Sequence, residues 1–514
     1  MGRLRGAEGE LAVKKSTIFV AMLAATVLAA CGTRLPDEAF VEQGQLVASG
    51  DVVTGDDSSG VGDEMGLGAD ETATTVAGDA GSASGGGGGG GGATGGGGGG
   101  GATGGGGGGS GGPNQASDVG VTPNAIVIGT IVAENGVLGD AFAPAARGMR
   151  AWAQAVNAKG GINGRQVVLK TCDDGEVRNK ALECARKLVE QDKVFAIVGA
   201  NTRAMGGAAQ YLNDQGVPVI GMPITNSYYR YPHFWSVYPF GYARDGKTVG
   251  YNGQIMATTG IYRWFKTHLN VTKAAVFAYD IDESRQAGES FAKGLELEGF
   301  DVKMYPVSFA APSFDQAVAD MQQNGVQIIF DTMDDGANRK LCDAMARRTF
   351  TVAAKVSTVV SFGQKVGTTY NDTCRNSVFI PGESTPYTST NIPEVAAFRA
   401  AFAKYQPGKE LHQWALEAWS QGQMVAEGIR GMGPAPTRKG LEDFLRGLDK
   451  YTAGGVFVGL DWRPVDYSQT TTKDCFTIAR WQDNQGGWVR ATEQFPFCYP
   501  DAKQYGSTAL EQGN

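Results

Sequence analysis

Ala125-Ile-Val-Ile-Gly-Thr-Ile131, then Phe142-Ala-Pro-Ala-Ala-Arg-Gly-Met-Arg-Ala-Trp-Ala-Gln-Ala-Val-Asn-Ala158, the break Lys159-Gly160-Gly161, and Gln166-Val-Val-Leu-Lys-Thr171 form the stretch that decides the fold. A short apolar run, a segment of helical periodicity, a glycine stop and a second apolar run make one β-α-β unit. The same alternation continues downstream. Residues 178–191 read as a helix, 194–198 as a strand, 203–214 as a helix and 217–220 as a strand, four βα units in about 100 residues. Strands that are apolar throughout and separated by helices build a parallel sheet covered on both faces.

The rhythm lapses through an aromatic, turn-rich stretch at residues 226–241 and then restarts. Residues 274–279, 302–306, 327–330 and 355–358 read as strands, with helices at 291–298, 314–323 and 337–347. A strand at 378–381 is followed by helical stretches at 395–405, 414–428 and 439–448. Residues 473–499 alternate apolar and polar around Asn484-Gln485-Gly486-Gly487, a hairpin pattern. Nearly 400 residues of this kind supply core for two domains.

Upstream the chain changes character. Arg3, Arg5, Lys14 and Lys15 lead into an apolar run at residues 17–28, which closes on Leu28-Ala29-Ala30-Cys31-Gly32. A basic start and about a dozen apolar residues read as an export signal, too short to span a membrane permanently. Small residues ending at a cysteine resemble the bacterial lipoprotein box, which implies that Cys31 receives lipid and becomes the mature N-terminus, anchored to the membrane from outside the cytoplasm. Residues 32–118 hold twelve Asp or Glu against Arg34, and 23 of the 28 residues from 85 to 112 are glycine. Such a composition cannot offset its ordering entropy, so a disordered tether is expected, with a span of roughly 50 Å. The whole chain carries −8, residues 32–118 carry −11 and residues 1–31 carry +2, which leaves the folded part near +1. No nucleic-acid surface is expected from that balance.

Six cysteines remain beyond Cys31: Cys172, Cys184, Cys342, Cys374, Cys475 and Cys498. An even count in an exported chain suggests disulfides, and six thiols allow fifteen connectivities. Their placement favours sequential pairs. Cys172 ends a strand before the helix holding Cys184, Cys342 stands at a helix shortly before Cys374, and Cys475 and Cys498 flank the C-terminal hairpin. Zinc is not expected, because there is no CxxC and His233, His268 and His412 are scattered. Gly241-Tyr-Ala-Arg-Asp-Gly246-Lys247-Thr248 matches the phosphate-loop letters, but it follows an aromatic connection rather than a buried strand. No catalytic signature is found, and neither enzyme chemistry nor a cofactor is expected.

Four segments together resemble the type I periplasmic binding proteins, in their leucine/isoleucine/valine-binding branch that feeds ABC importers. They are Val121-Thr-Pro-Asn-Ala-Ile-Val-Ile-Gly129, Ala155-Val-Asn-Ala-Lys-Gly-Gly-Ile-Asn-Gly-Arg165, Cys172-Asp173-Asp174 and Val217-Pro-Val-Ile-Gly221. The likeness runs over residues 121–405. It implies an α/β fold of two Rossmann-like lobes with parallel sheets, joined by three hinge crossovers, with ligand trapped between them. The boundaries expected are 1–30 for the signal peptide, 31–118 for the lipidated linker and 119–240 for the first lobe. The second lobe would take 241–381, a return to the first lobe 382–455, a final crossover and hairpin 456–505, and a tail 506–514.

Ligands of open α/β sheets sit at the carboxyl ends of strands, and those loops name the candidates. In the first lobe they are Glu134, Asn135, Asn201, Thr202, Ile224, Thr225 and Asn226; in the second they are Asp280, Asp334 and Ser361. The resemblance implies that Thr202 and Thr225 hold a ligand carboxylate. Amino-acid binders of this family carry an acid where this chain has Val359, Val360 and Ser361, so Asp280, Asp331 or Asp334 substitutes or the ligand is not an α-amino acid. Tyr228, Tyr229, Trp235, Tyr238 and Phe240 either line a pocket or pack the hinge. The function implied is capture of a small polar or amphipathic solute, such as an amino acid or amide, for ABC permease subunits. The alternative is a ligand-sensing module on the same fold.

Overall fold

The computed structural model describes residues 112–238, 253–462 and 467–509. The export segment, Cys31, the acidic and glycine-rich stretch through residue 111, Phe240 and the Gly241–Thr248 motif lie outside the described residues.

Strands β1 (Ala125–Ile131), β2 (Gln166–Cys172), β3 (Ala196–Ala200), β4 (Val219–Gly221) and β5 (Phe234–Ser236) form a parallel sheet in the order β2-β1-β3-β4-β5. Helices α1 (Gly139–Ala158), α2 (Arg178–Arg186) and α3 (Ala209–Asp214) connect them. Central β3 is buried along its whole length, as its unbroken apolar run requires. Strand β5 was not expected: Phe234-Trp-Ser is three residues long among turns, too short to carry a period. It adds a fifth strand, and Trp235 and Tyr228 become core residues, 0% and 2% exposed.

The second sheet holds β6 (Gln254–Thr258), β7 (Lys273–Tyr279), β8 (Asp301–Val307), β9 (Ile328–Asp331), β10 (Ala354–Val356), β11 (Val378–Gly382), β12 (Thr471–Gln482), β13 (Gly487–Arg490) and β14 (Phe497–Ala509). Its order is β6-β14-β12-β11-β10-β9-β7-β8, with β13 paired to β12. This sheet is mixed, which corrects the expectation of two parallel sheets. Strands β7 to β11 are parallel, whereas β12, β13, β14 and β6 enter by antiparallel pairing. Residues 506–509, expected as tail, belong to β14 and pair with β6. Helices α4 (Gly260–Leu269), α5 (Asp282–Leu297), α6 (Asp315–Asn324) and α7 (Asp335–Arg347) accompany this sheet. Helix α5 begins nine residues earlier than expected because its first turns are polar.

Helices α8 (Pro393–Tyr405), α9 (Gln413–Gly431) and α10 (Arg438–Gly447) follow β11. Helix α9 lies on α1 with almost no gap. A Cβ on Gly148 would stand 2.1 Å from the Ala415 carbonyl oxygen, and one on Gly422 would strike the Trp152 ring. Only residues without a Cβ permit that crossing, so α9 is held tightly on the first sheet's side.

Three disulfides are formed, in the sequential order expected. Cys172–Cys184 ties the end of β2 to α2. Cys342–Cys374 ties α7 to a single turn at Asp372–Arg375. Cys475–Cys498 ties β12 to β14. None joins one sheet to the other. No described helix is long and apolar enough to cross a membrane.

Candidate binding site between the sheets

The carboxyl ends of the parallel strands carry the candidate loops, and most of their side chains are already engaged. After β1, Glu134 pairs with Arg150 of α1. The Asn135 side chain and the backbone N–H groups of Glu134 and Asn135 donate to Asp173. After β3, Thr202 is 2% exposed and its Oγ1 accepts the Ala204 N–H at 3.0 Å. After β4, Ile224 is half-buried, and the Thr225 hydroxyl donates to Ser227 Oγ at 3.1 Å. Both threonine hydroxyls therefore serve their own turns in this structure. Asn201 differs: it is fully buried, and neither atom of its side-chain amide has a partner. An amide left so costs about 1–3 kcal/mol.

The second sheet answers with its own loops. Asp280 accepts the Phe309 N–H at 2.8 Å. Asp334 caps α7 by accepting from the Gly336 and Ala337 N–H groups and also accepts the Tyr279 hydroxyl. Burial and the Asp334 carboxylate push the Tyr279 hydroxyl well above its ordinary range. Ser361 is fully buried, and its Oγ accepts from Asn338 Nδ2 at 3.2 Å and from the Tyr370 hydroxyl at 3.4 Å. Asp331 is spoken for: Lys355 Nζ stands 2.7 Å from its Oδ2, with both side chains 0% exposed, and Ser357 and Asn338 donate to the same carboxylate. It cannot also receive a ligand ammonium, which removes one of the three proposed substitutes.

Contacts between the two sets of loops are specific. Asn226 Nδ2 donates to Gln286 Oε1 of α5 at 3.2 Å. The Arg203 guanidinium, paired with Glu176 at 2.6 Å, lies 5.7 Å from the centre of the Phe309 ring. Lys365 Nζ reaches Asp140 Oδ2 of α1 at 3.1 Å. Thr225 and Asn226 join Arg178, Arg230, Asp282 and Glu283 around a small cavity of about 190 Å³.

A larger cavity of about 550 Å³ lies between the first turns of α1 and α7, walled also by Lys365, Glu410 and His412. Glu176 accepts the Leu138 N–H just before α1, and Asp334 accepts the Gly336 and Ala337 N–H groups at the start of α7. Recognition of an anion there falls to side chains. Arg147 of α1 and Arg339 of α7 both line the cavity, one from each sheet's side, and neither makes an ion pair or hydrogen bond among the described residues. Asp335 and Glu410 give the same cavity negative charge. Burial raises the Asp335 carboxyl. His412 is buried and pushed down to about 4, so it is neutral at pH 7. Of the sequence candidates only Asp334 lines this cavity. Arg147 and Arg339 escaped notice because they sit inside helices, in no motif, and only the fold brings them together. Tyr229 and Tyr238 line a third, apolar cavity.

A family model described as "Periplasmic binding protein" matches residues 125–487. A curated relative from Pseudomonas aeruginosa, named "Amino acid binding protein", is 43% identical over 53 residues, which is 10% of this chain and 14% of that protein. The match thus spans about a seventh of that relative's length. The fold is similar to that of a fatty acid ABC transporter substrate-binding protein from Thermomonospora curvata, with a TM-score of 0.57 and 15% identity over 74% of this chain and 94% of that one. It is similar to a solute binding protein from R. palustris in complex with benzoate, with a TM-score of 0.56 and 15% identity over 76% and 100%. A leucine binding protein from Thermotoga maritima has a TM-score of 0.55 and 14% identity over 71% and 97%.

Proposed function

The chain belongs to the periplasmic binding protein family, and from that premise we propose that it captures a small carboxylate-bearing solute, an amino acid or close relative, for delivery to an ABC permease. The observation that carries this reading is the pair Arg147 and Arg339, unpaired among the described residues and lining one cavity from opposite sides. An unpaired guanidinium beside a cavity is a fork matched to a carboxylate, and two on opposite walls reward closure over it. Asp335 and Glu410 supply a counter-charge for an ammonium group, the role for which Val359–Ser361 has no acid. The ligands named for the compared proteins, an amino acid, leucine, benzoate and a fatty acid, share a carboxylate, which supports the same chemistry.

A thermal-shift screen of amino acids, their amides and aromatic acids tests it. A ligand at a hundred times its Kd stabilises by about 2.7 kcal/mol. For a compound so identified, Arg147→Ala should weaken calorimetric affinity roughly 10- to 100-fold, the loss of a charge-assisted hydrogen bond of about 1.5–3 kcal/mol. The melting temperature of the free protein should barely move. Affinity unchanged in both Arg147→Ala and Arg339→Ala would end the proposal.

Export and lipidation at Cys31 complete the reading. Cys31→Ala should shift the protein from the membrane to the soluble fraction on cell fractionation. Retention in the membrane pellet would show that the anchor is something else.

A further inference from the structure

The third cavity, about 400 Å³, opens where the chain passes between the sheets, and the solute reading leaves it unused. Ile255, Met256, Ile261, Phe291, Phe330 and Phe476 are among its walls, and such a volume is ample for a small molecule. Among the described residues its polar end is made of acids and hydroxyls. Glu383 follows β11 directly, Glu417 comes from α9, Asp474 from β12 and Tyr238 from the residues after β5; no Lys, Arg or His lines the cavity among the described residues.

These acids differ in how far they are committed. Asp474 accepts the Gly260 N–H at 3.0 Å and so caps α4. Glu417, 1% exposed, accepts the Tyr238 hydroxyl at 2.6 Å and the Ser384 hydroxyl. The Glu383 side chain has no hydrogen bond or ion pair among the described residues. Beside it, the Thr358 hydroxyl oxygen is buried without a partner and lines the same space. Carboxylates facing an apolar cavity ordinarily pair with a cation, and none of the described residues provides one here.

We infer that this cavity is a second small-molecule site, for an amphipathic organic cation whose ammonium lies between Glu383 and Glu417 and whose apolar body fills the Phe291–Phe330 end. The chemistry is opposite in sign to that of the arginine-lined cavity. Burial pushes Glu417 up to about 7; burial, helped by the charges of Asp474 and Glu417, pushes Glu383 up to about 8. Burial raises Asp474 as well, against the Thr258 and Gly260 hydrogen bonds and the charge of Arg263. An ammonium binds the ionised carboxylates. Binding is therefore weak at pH 6, where both glutamates hold protons, and strengthens toward pH 8.5, where they have lost them and an alkylammonium of pKa near 10 has not.

Calorimetry of the purified full chain with 2-phenylethylamine, and with phenylacetate as the sign-reversed probe, decides the matter. The amine should bind, with affinity rising roughly tenfold or more between pH 6 and 8.5. Glu417→Gln and Glu383→Gln should each weaken it at least about tenfold. Glu383→Gln removes no internal hydrogen bond, so its reading does not depend on tolerance of the Glu417 change. Amine binding that ignores both substitutions, phenylacetate binding as tightly as the amine, or no heat from the amine at pH 8.5 would each overturn the assignment.

Discussion

Lys355→Met is expected to destabilise the protein by about 3–5 kcal/mol in urea titration, because it leaves the Asp331 carboxylate buried without its cation. The pair has no access to water: Nζ and Oδ2 are 2.7 Å apart and both side chains are 0% exposed. Adding Asp331→Asn to that variant removes the stranded charge and should recover most of the loss. If the single variant costs less than about 1 kcal/mol, the ion pair is not a determinant of this fold. The effect should reach the binding loops. Residues 332–335 and 357–361 leave β9 and β10 just beyond the pair, and Ser357 Oγ donates to Asp331 at 2.6 Å. Ligand affinity should thus fall together with stability in Lys355→Met and return with it in the double variant.

Replacing Cys342 and Cys374 together by serine is the second large effect expected, a loss of about 4 kcal/mol. The bond closes a loop with a sequence separation of 32, against 12 for Cys172–Cys184, and the chain-entropy relation gives about 4 and about 3 kcal/mol for loops of those lengths. Both Cys342 and Cys374 are 0% exposed, so burying two hydroxyls adds to the cost. Denaturant midpoints of the two double-serine variants under non-reducing conditions should fall in that order. The reverse order would show that strain or residual unfolded-state structure outweighs loop length.

The elements that could be read from residues alone were those whose environment imposes a period. Strands β1, β3, β7 and β9 are apolar runs buried on both faces, and α1 presents an amphipathic face ended by glycines. Strand β5 is too short for a period, β6 is a partly exposed edge strand with only Met256 buried, and the first turns of α5 are polar. Tertiary pairing decided all three. The site was harder. Loop position selected residues such as Thr202 and Thr225, but a hydroxyl at a strand end satisfies its own turn as readily as a ligand. What Arg147 and Arg339 do depends on the absence of partners among the described residues, a property of packing that one chain's letters do not carry.

The placement of the three disulfides has a mechanical meaning. Each closes a loop within one half of the molecule: Cys172–Cys184 beside the first sheet, Cys342–Cys374 and Cys475–Cys498 within the second. A cross-link restricts only the chain it encircles, so oxidation stiffens each half and places no covalent clamp between them. The durability of each half and the contact between the halves are thereby set by separate bonds. A reductant would shorten the life of each half before it altered how the two halves meet, since Lys365 with Asp140, Asn226 with Gln286, Arg203 against Phe309 and the Gln413 N–H on the Phe362 carbonyl are all non-covalent contacts.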